Sequence, residues 1–190
     1  NAMAVNTTGG ENVAIGRNAL DANTTASNNT AIGDSALSAN TTGSGDVAIG
    51  HNSLISNTEG SQQVAVGKDS MYSNTTGYNN TSVGWESMKA NTTGYLNVAV
   101  GQQAMLANTE GYSNVAIGHN SYATATTANH NTCVGDNAGA SITVGQGNVC
   151  IGADAGDAIS GSNGKWNVAI GFNAMKDTDA RFQNTAVGQN

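Results

Sequence analysis

The chain has 190 residues, of which 38% are hydrophobic, 10% charged and 5% aromatic, with no proline and 25 glycines. Large side chains are too scarce to fill a globular interior, and the apolar residues are too many and too regular for a disordered tail. The formal charge of −7, with the six basic residues scattered singly, argues against nucleic acid as a partner.

Asn1-Ala2 ahead of Met3 has the look of an expression-tag remnant, so residues 3–190 are expected to form one repeat domain, a piece of a longer fibrous protein. No apolar run approaches the roughly 20 residues needed to cross a bilayer, and no membrane contact is expected from this segment.

From Asn12 onward one motif, N-(V/T)-A-(I/V)-G, recurs to the end of the chain. Its glycines stand at Gly16, Gly33, Gly50, Gly67, Gly84, Gly101, Gly118, Gly135 and Gly152, 17 apart, then at Gly171 after 19 and Gly188 after 17. One residue before each glycine lies a β-branched side chain: Ile15, Ile32, Ile49, Val66, Val83, Val100, Ile117, Val134, Ile151, Ile170 and Val187. The residue before that is always small, Ala in most units, Ser82 in one, Cys133 and Cys150 in two others.

A second signature follows, as in Ala36-Leu37, Ser53-Leu54, Ser87-Met88 and Ala104-Met105, each leading into Asn-Thr. Short apolar pieces bounded by Gly and Asn predict two extended segments per unit rather than a helix. Gly43, Gly60, Gly77, Gly94 and Gly111 are expected to close the unit by taking positive φ.

One 17-residue unit per coil gives an all-β parallel solenoid in which equivalent residues lie about 4.8 Å apart, and ten such spacings make a rod of roughly 48 Å. Stacking then turns each repeated Asn into a ladder: Asn23, Asn40, Asn57, Asn74, Asn91 and Asn108 in one column, Asn12, Asn29, Asn80, Asn97, Asn114, Asn131, Asn148, Asn167 and Asn184 in another. Strand alternation sends Ala14 one way and Val13 and Ile15 the other. A cramped lumen suits the small residue, so the Val/Ile stripe should face outward and be covered by sister chains. The alternative at this stage is a monomer whose Val and Ile fill the lumen.

N-V-A-I-G followed shortly by Ala or Ser resembles the head repeats of trimeric autotransporter adhesins, the YadA-like heads. The longer unit with N-T-T-G is similar to phage tail-fibre repeats. The resemblance implies a left-handed β-roll assembled as a homotrimeric rod, extracellular, on a bacterial cell surface or a virion tail. It also implies a non-enzymatic role in adhesion, with a host-surface protein or glycan as partner. The adhesin head repeat is shorter than 17 residues, and handedness comes from the resemblance alone, since the usual crossover rule favours the right-handed turn.

No catalytic, metal or cofactor set converges in the sequence. His51 and His119 share a repeat position four coils apart, about 19 Å, too far for one metal. Cys133 and Cys150 hold the same slot in adjacent coils, as small fillers or as a disulfide. Candidate partner-binding residues are the stripe Tyr78, Tyr95 and Tyr112, which could equally be a stiffening ladder, together with Trp85, Lys165 and Trp166. The last two border Ser160–Gly164, where the only irregular unit carries its two extra residues. The Asn-Thr-Thr triplets at Asn23, Asn40 and Asn74 match N-glycosylation acceptors, though repetition explains them. The Thr column from Thr24 to Thr143 raises a competing function, ice binding.

Overall fold

The structure, a computed structural model, describes residues 1–157, 159, 164–176 and 182–189. Eleven three-residue strands form a single parallel sheet in sequence order. They are β1 (Val13–Ile15), β2 (Thr30–Ile32), β3 (Val47–Ile49), β4 (Val64–Val66), β5 (Thr81–Val83), β6 (Val98–Val100), β7 (Val115–Ile117), β8 (Thr132–Val134), β9 (Val149–Ile151), β10 (Val168–Ile170) and β11 (Thr185–Val187). Each strand pairs with the next in register, Ala31 on Ala48 and Ile32 on Ile49, and the 19-residue step from β9 to β10 keeps that register, Ala169 on Cys150. The molecule is a parallel β-solenoid of about ten coils, with no helix among the described residues.

Alternation across the strands comes out as expected. Ala48, Ala65 and Ala99 are fully buried, whereas the β-branched residues on either side stay half-buried or exposed. The lumen is therefore narrow at the strand side, and the Val/Ile column does not fill it.

The second segment of each coil corrects the expectation of an extended piece. It is a chain of turns in which alternate residues adopt left-handed backbone, for example Asn52 at φ 56° and Leu54 at φ 51°, then Asp69 at φ 56° and Met71 at φ 51°. Left-handed backbone costs a non-glycine residue about 1–2 kcal/mol. Full burial of Leu20, Leu37, Leu54, Met71, Met88 and Met105 offsets that cost, since each contributes about 1.5–3 kcal/mol on leaving water.

Positive φ falls on different glycines from those expected. Positive φ belongs to the Gly16-type glycines, between 126° and 140°, and not to Gly43, Gly60, Gly77, Gly94 or Gly111. The second set is glycine because of close approach. A Cβ on Gly77 would overlap Asn74 Oδ1 and the Gly94 carbonyl, and lie 3.0 Å from Asn91 Nδ2.

Those contacts are the polar half of the lumen. Asn57 Nδ2 donates to Asn40 Oδ1 at 3.2 Å and to the Gly60 carbonyl at 2.9 Å, and the pattern repeats from Asn23 to Asn108. In the second column Asn80 Oδ1 accepts from both the backbone N–H and the Nδ2 of Asn97, at 3.0 and 3.2 Å, while Asn97 Nδ2 also reaches the Gly111 carbonyl at 2.8 Å. Buried polar groups in a thin interior are tolerable only when paired in this way.

Gly77→Ala should lower stability by roughly 2–4 kcal/mol, because overlap falls on backbone and on a ladder amide with nowhere to move. Gly10→Ala, where an added Cβ meets nothing within 4 Å, should be close to neutral. Thermal unfolding of the two variants beside the parent chain checks the contrast.

Candidate functional site

The fold places the sequence candidates on two edges of the rod, one on each side of the β-sheet face. Tyr78, Tyr95 and Tyr112 lie three residues before β5, β6 and β7. Their rings stack at centroid distances of 4.9 Å, with interplanar angles of 7° and 4°. Such spacing is what parallel coils impose on identical side chains at one repeat position. His130, in the next coil, closes the stack edge-on against Tyr112 at 5.2 Å.

Farther along the same edge stand Lys165, half-buried, and Trp166, which is exposed. Trp166 lies over Gly147, where a Cβ would come 2.6 Å from the indole Cδ1, and tilts toward Phe182 at 6.2 Å. The tyrosine stripe and the Lys165–Trp166 pair are thus parts of one aromatic edge. Residues 160–163, the body of the irregular segment, lie outside the described residues.

Trp85 is separate. It follows β5 on the opposite flank of the sheet, exposed between the neighbouring column positions Lys68 and Gln102. Glu86 beside it is held below the usual carboxylate range by hydrogen bonds from Lys89 and Gln103. On that flank Arg17 pairs with Asp34 at 2.7 Å and His119 with Asp136 at 2.8 Å, one coil apart in each case. Leu96, His130, Phe172 and Phe182 were not singled out from the sequence. Alignment of the chain in steps of 17 would have put Phe182 beside Lys165, which the bridge between them bears out.

Between the two edges runs the apolar face. Val100, Ile117 and Ile151 are 36%, 40% and 39% exposed, and the first residues of the same strands are half-buried.

The lumen beneath contains the strongly perturbed titratable groups. Asp46 occupies a ladder position otherwise held by Asn29 and Asn80, and burial raises it to about 7. Its Oδ1 accepts the Gln63 N–H at 2.9 Å and its Oδ2 the Asn57 amide at 3.3 Å. Cys133 and Cys150 are free thiols paired across β8 and β9, and the Cys133 thiol is raised by its hydrogen bond with Cys150 and by burial. Both serve as the small lumen residue of their coils. Among the described residues no group of three or more His, Cys, Asp and Glu comes together to hold a metal.

Two sequence motifs change meaning once placed. Asn23, Asn40 and Asn74 are fully buried ladder residues, so their Asn-Thr-Thr triplets cannot carry glycans in the folded rod. The Thr column is tied to the backbone: Thr41, Thr75 and Thr92 each donate Oγ1–H to the threonine carbonyl one coil on, at 3.0, 3.1 and 3.0 Å.

Comparison of the chain with family models, curated proteins and solved structures gives no match. The candidate site therefore rests on geometry: an apolar strand face bordered by an aromatic edge on one side and a mixed, charged edge on the other.

Asp46 gives a measurable signature of the lumen. A carboxyl whose ordinary value is 3.8 and whose folded value is about 7 binds its proton more tightly in the rod than in the unfolded chain. Its penalty is therefore absent below pH 3.8, grows as pH rises toward 7, and is constant above, at most about 4 kcal/mol. Asp46→Asn restores the ladder amide and should raise unfolding stability at pH 8 while changing it little at pH 4. Denaturant titrations at the two pH values read the difference.

Proposed function

We propose that this chain is a segment of a non-enzymatic surface fibre, assembled as a homotrimer about the rod axis, that attaches to a host or other surface through the edges and loops it displays. The supporting observation is the Val/Ile column of β1 to β11, half-buried to exposed in the single chain. Strands that turn a small residue inward, alanine in most coils and Ser82, Cys133 or Cys150 in three, carry on the other side an apolar stripe along about ten coils. A soluble monomer rarely exposes more than a few hundred Å² of contiguous apolar surface, and a Val/Ile stripe running roughly 48 Å along the rod reaches that order. Identical chains running in parallel cover the stripe with its own kind, in closed symmetry.

The resemblance to adhesin-head and tail-fibre repeats supports the same reading, with the fibre outside the cell, on a bacterial surface or a virion tail. A trimer makes three copies of each edge available, so weak single contacts multiply into firm attachment. The partner is a host-surface protein or glycan, met by the aromatic edge of Tyr78, Tyr95, Tyr112, Lys165 and Trp166, or by Trp85 on the other flank. The hydroxyls of Thr41, Thr58, Thr75, Thr92 and Thr109, committed to carbonyls of the next coil, offer water only their acceptor side, which favours this reading over an ice-binding array.

Multi-angle light scattering should give three times the 19.0 kDa chain mass. Ile117→Glu should break the assembly into single chains while the β circular dichroism persists, because a carboxylate on the stripe is left buried and unpaired at the interface. Single chains in the parent protein would overturn the trimeric fibre.

A further inference from the structure

We infer that the outer ring face of Tyr78, with the serine shelf beside it, is a subsite for one pyranose ring of a surface glycan. This rests on reading the rod as a surface-attachment fibre. The tyrosine column begins abruptly: the same repeat position is Ser27, Ser44 and Ser61 in the three preceding coils and Tyr78 in the fourth. Both faces of Tyr95 are covered by stacked neighbours, and Tyr112 is covered by Tyr95 and by the His130 edge. Tyr78 stacks on one side only. On the other it meets Ser61, whose side chain ends one atom beyond Cβ and cannot span a ring. The burial agrees, since Tyr78 is 44% exposed while Tyr95 and Tyr112 are half-buried.

The shelf in front of that face is built from backbone-anchored hydroxyls. Ser44 Oγ accepts the Ser27 N–H at 3.3 Å and Ser61 Oγ accepts the Ser44 N–H at 3.1 Å. The two hydroxyls in turn donate back to the Thr42 and Glu59 carbonyls at 3.5 and 3.3 Å. Exposed Glu59 and Gln62 flank the shelf, and Gly45, in left-handed backbone at φ 75°, adds no side chain to it.

An apolar wall standing on a polar floor selects its occupant. A protein side chain docking here would cover one ring and desolvate Glu59, Gln62 and the serines in return, which costs more than one ring gives back. A pyranose carries C–H groups on its face and hydroxyls around its rim. It is about as thick as one coil spacing of roughly 4.8 Å, so it fits where the next tyrosine of the column would lie. Its face then stacks on Tyr78, and its rim hydroxyls reach the Glu59 carboxylate and the Gln62 amide.

The test is an NMR titration of the whole chain with methyl β-D-galactopyranoside, methyl β-D-glucopyranoside and methyl α-D-mannopyranoside, following the tyrosine ring protons. At least one glycoside should shift the Tyr78 resonances saturably and leave those of Tyr95 and Tyr112 nearly unmoved. Ser61→Leu fills the ring's place and should weaken binding at least about tenfold, roughly 1.4 kcal/mol. Ser27→Leu, the same change two coils away, should leave it intact, with circular dichroism confirming that both variants fold. No shift from any of the three glycosides, or equal binding by Ser61→Leu and Ser27→Leu, overturns the subsite. Light scattering on the same samples separates the two claims: single chains that bind the sugar sink the trimeric fibre and keep the subsite, and trimers that ignore it do the reverse.

Discussion

Everything in this rod depends on parallel, in-register pairing at the spacing of neighbouring strands. Because Ala31 lies on Ala48 and Ile32 on Ile49, every side chain meets its counterpart from the coils before and after. A repeated residue is thereby compelled to interact with itself. Asparagine does this well, since its amide both donates and accepts along the axis, and tyrosine does it by stacking. A charge does it badly, and Arg17 stands over Asp34 rather than over a second cation.

The lumen shows how tightly the same constraint binds neighbouring columns to one another. After Asn108 the first ladder stops at Ala125, so Asn108 Oδ1 accepts no hydrogen bond from the protein. Tyr122 enters the same coil in place of Leu or Met, and its hydroxyl takes up the Asn131 amide in the vacated space. In the next two coils Cys133 and Cys150 replace alanine, Gly139 and Gly156 replace the large residue, and Ile142 and Ile159 replace asparagine. A Cβ on Gly139 would lie 2.5 Å from Cys133 Sγ and 3.1 Å from Ile142 Cδ1. Three positions have changed together to keep one volume, as expected of a close-packed interior. The cysteines are explained by this exchange of volume.

Outside, the same columns set what the surface offers. A stacked run of aromatic rings hides its own faces, so a stripe of three tyrosines presents one free face at its end rather than three. What a partner meets is decided by where a column begins and stops. The step from Ser61 to Tyr78 and the Gly147 bed under Trp166 are both such places, and both lie on the edge that borders the apolar strand face.

The repeat period, the strands, the small inward residue and both asparagine ladders were legible in the sequence, because each depends only on spacing and on the alternation of side chains across a strand. Val47-Ala48-Ile49 carries that information in three letters. The turn made by the Leu54 and Met71 segments was not legible, since left-handed backbone at a large aliphatic residue is locally unfavourable and is sustained only by burial in a lumen that the rest of the coil creates. Gly77 misled for the opposite reason: local chemistry offers positive φ, whereas the deciding contact comes from Asn74, Asn91 and the next coil's Gly94 carbonyl. The joining of Tyr78 and Trp166 on one edge, with Trp85 on the other, was likewise settled in three dimensions, because coil stacking brings together residues that the chain keeps far apart.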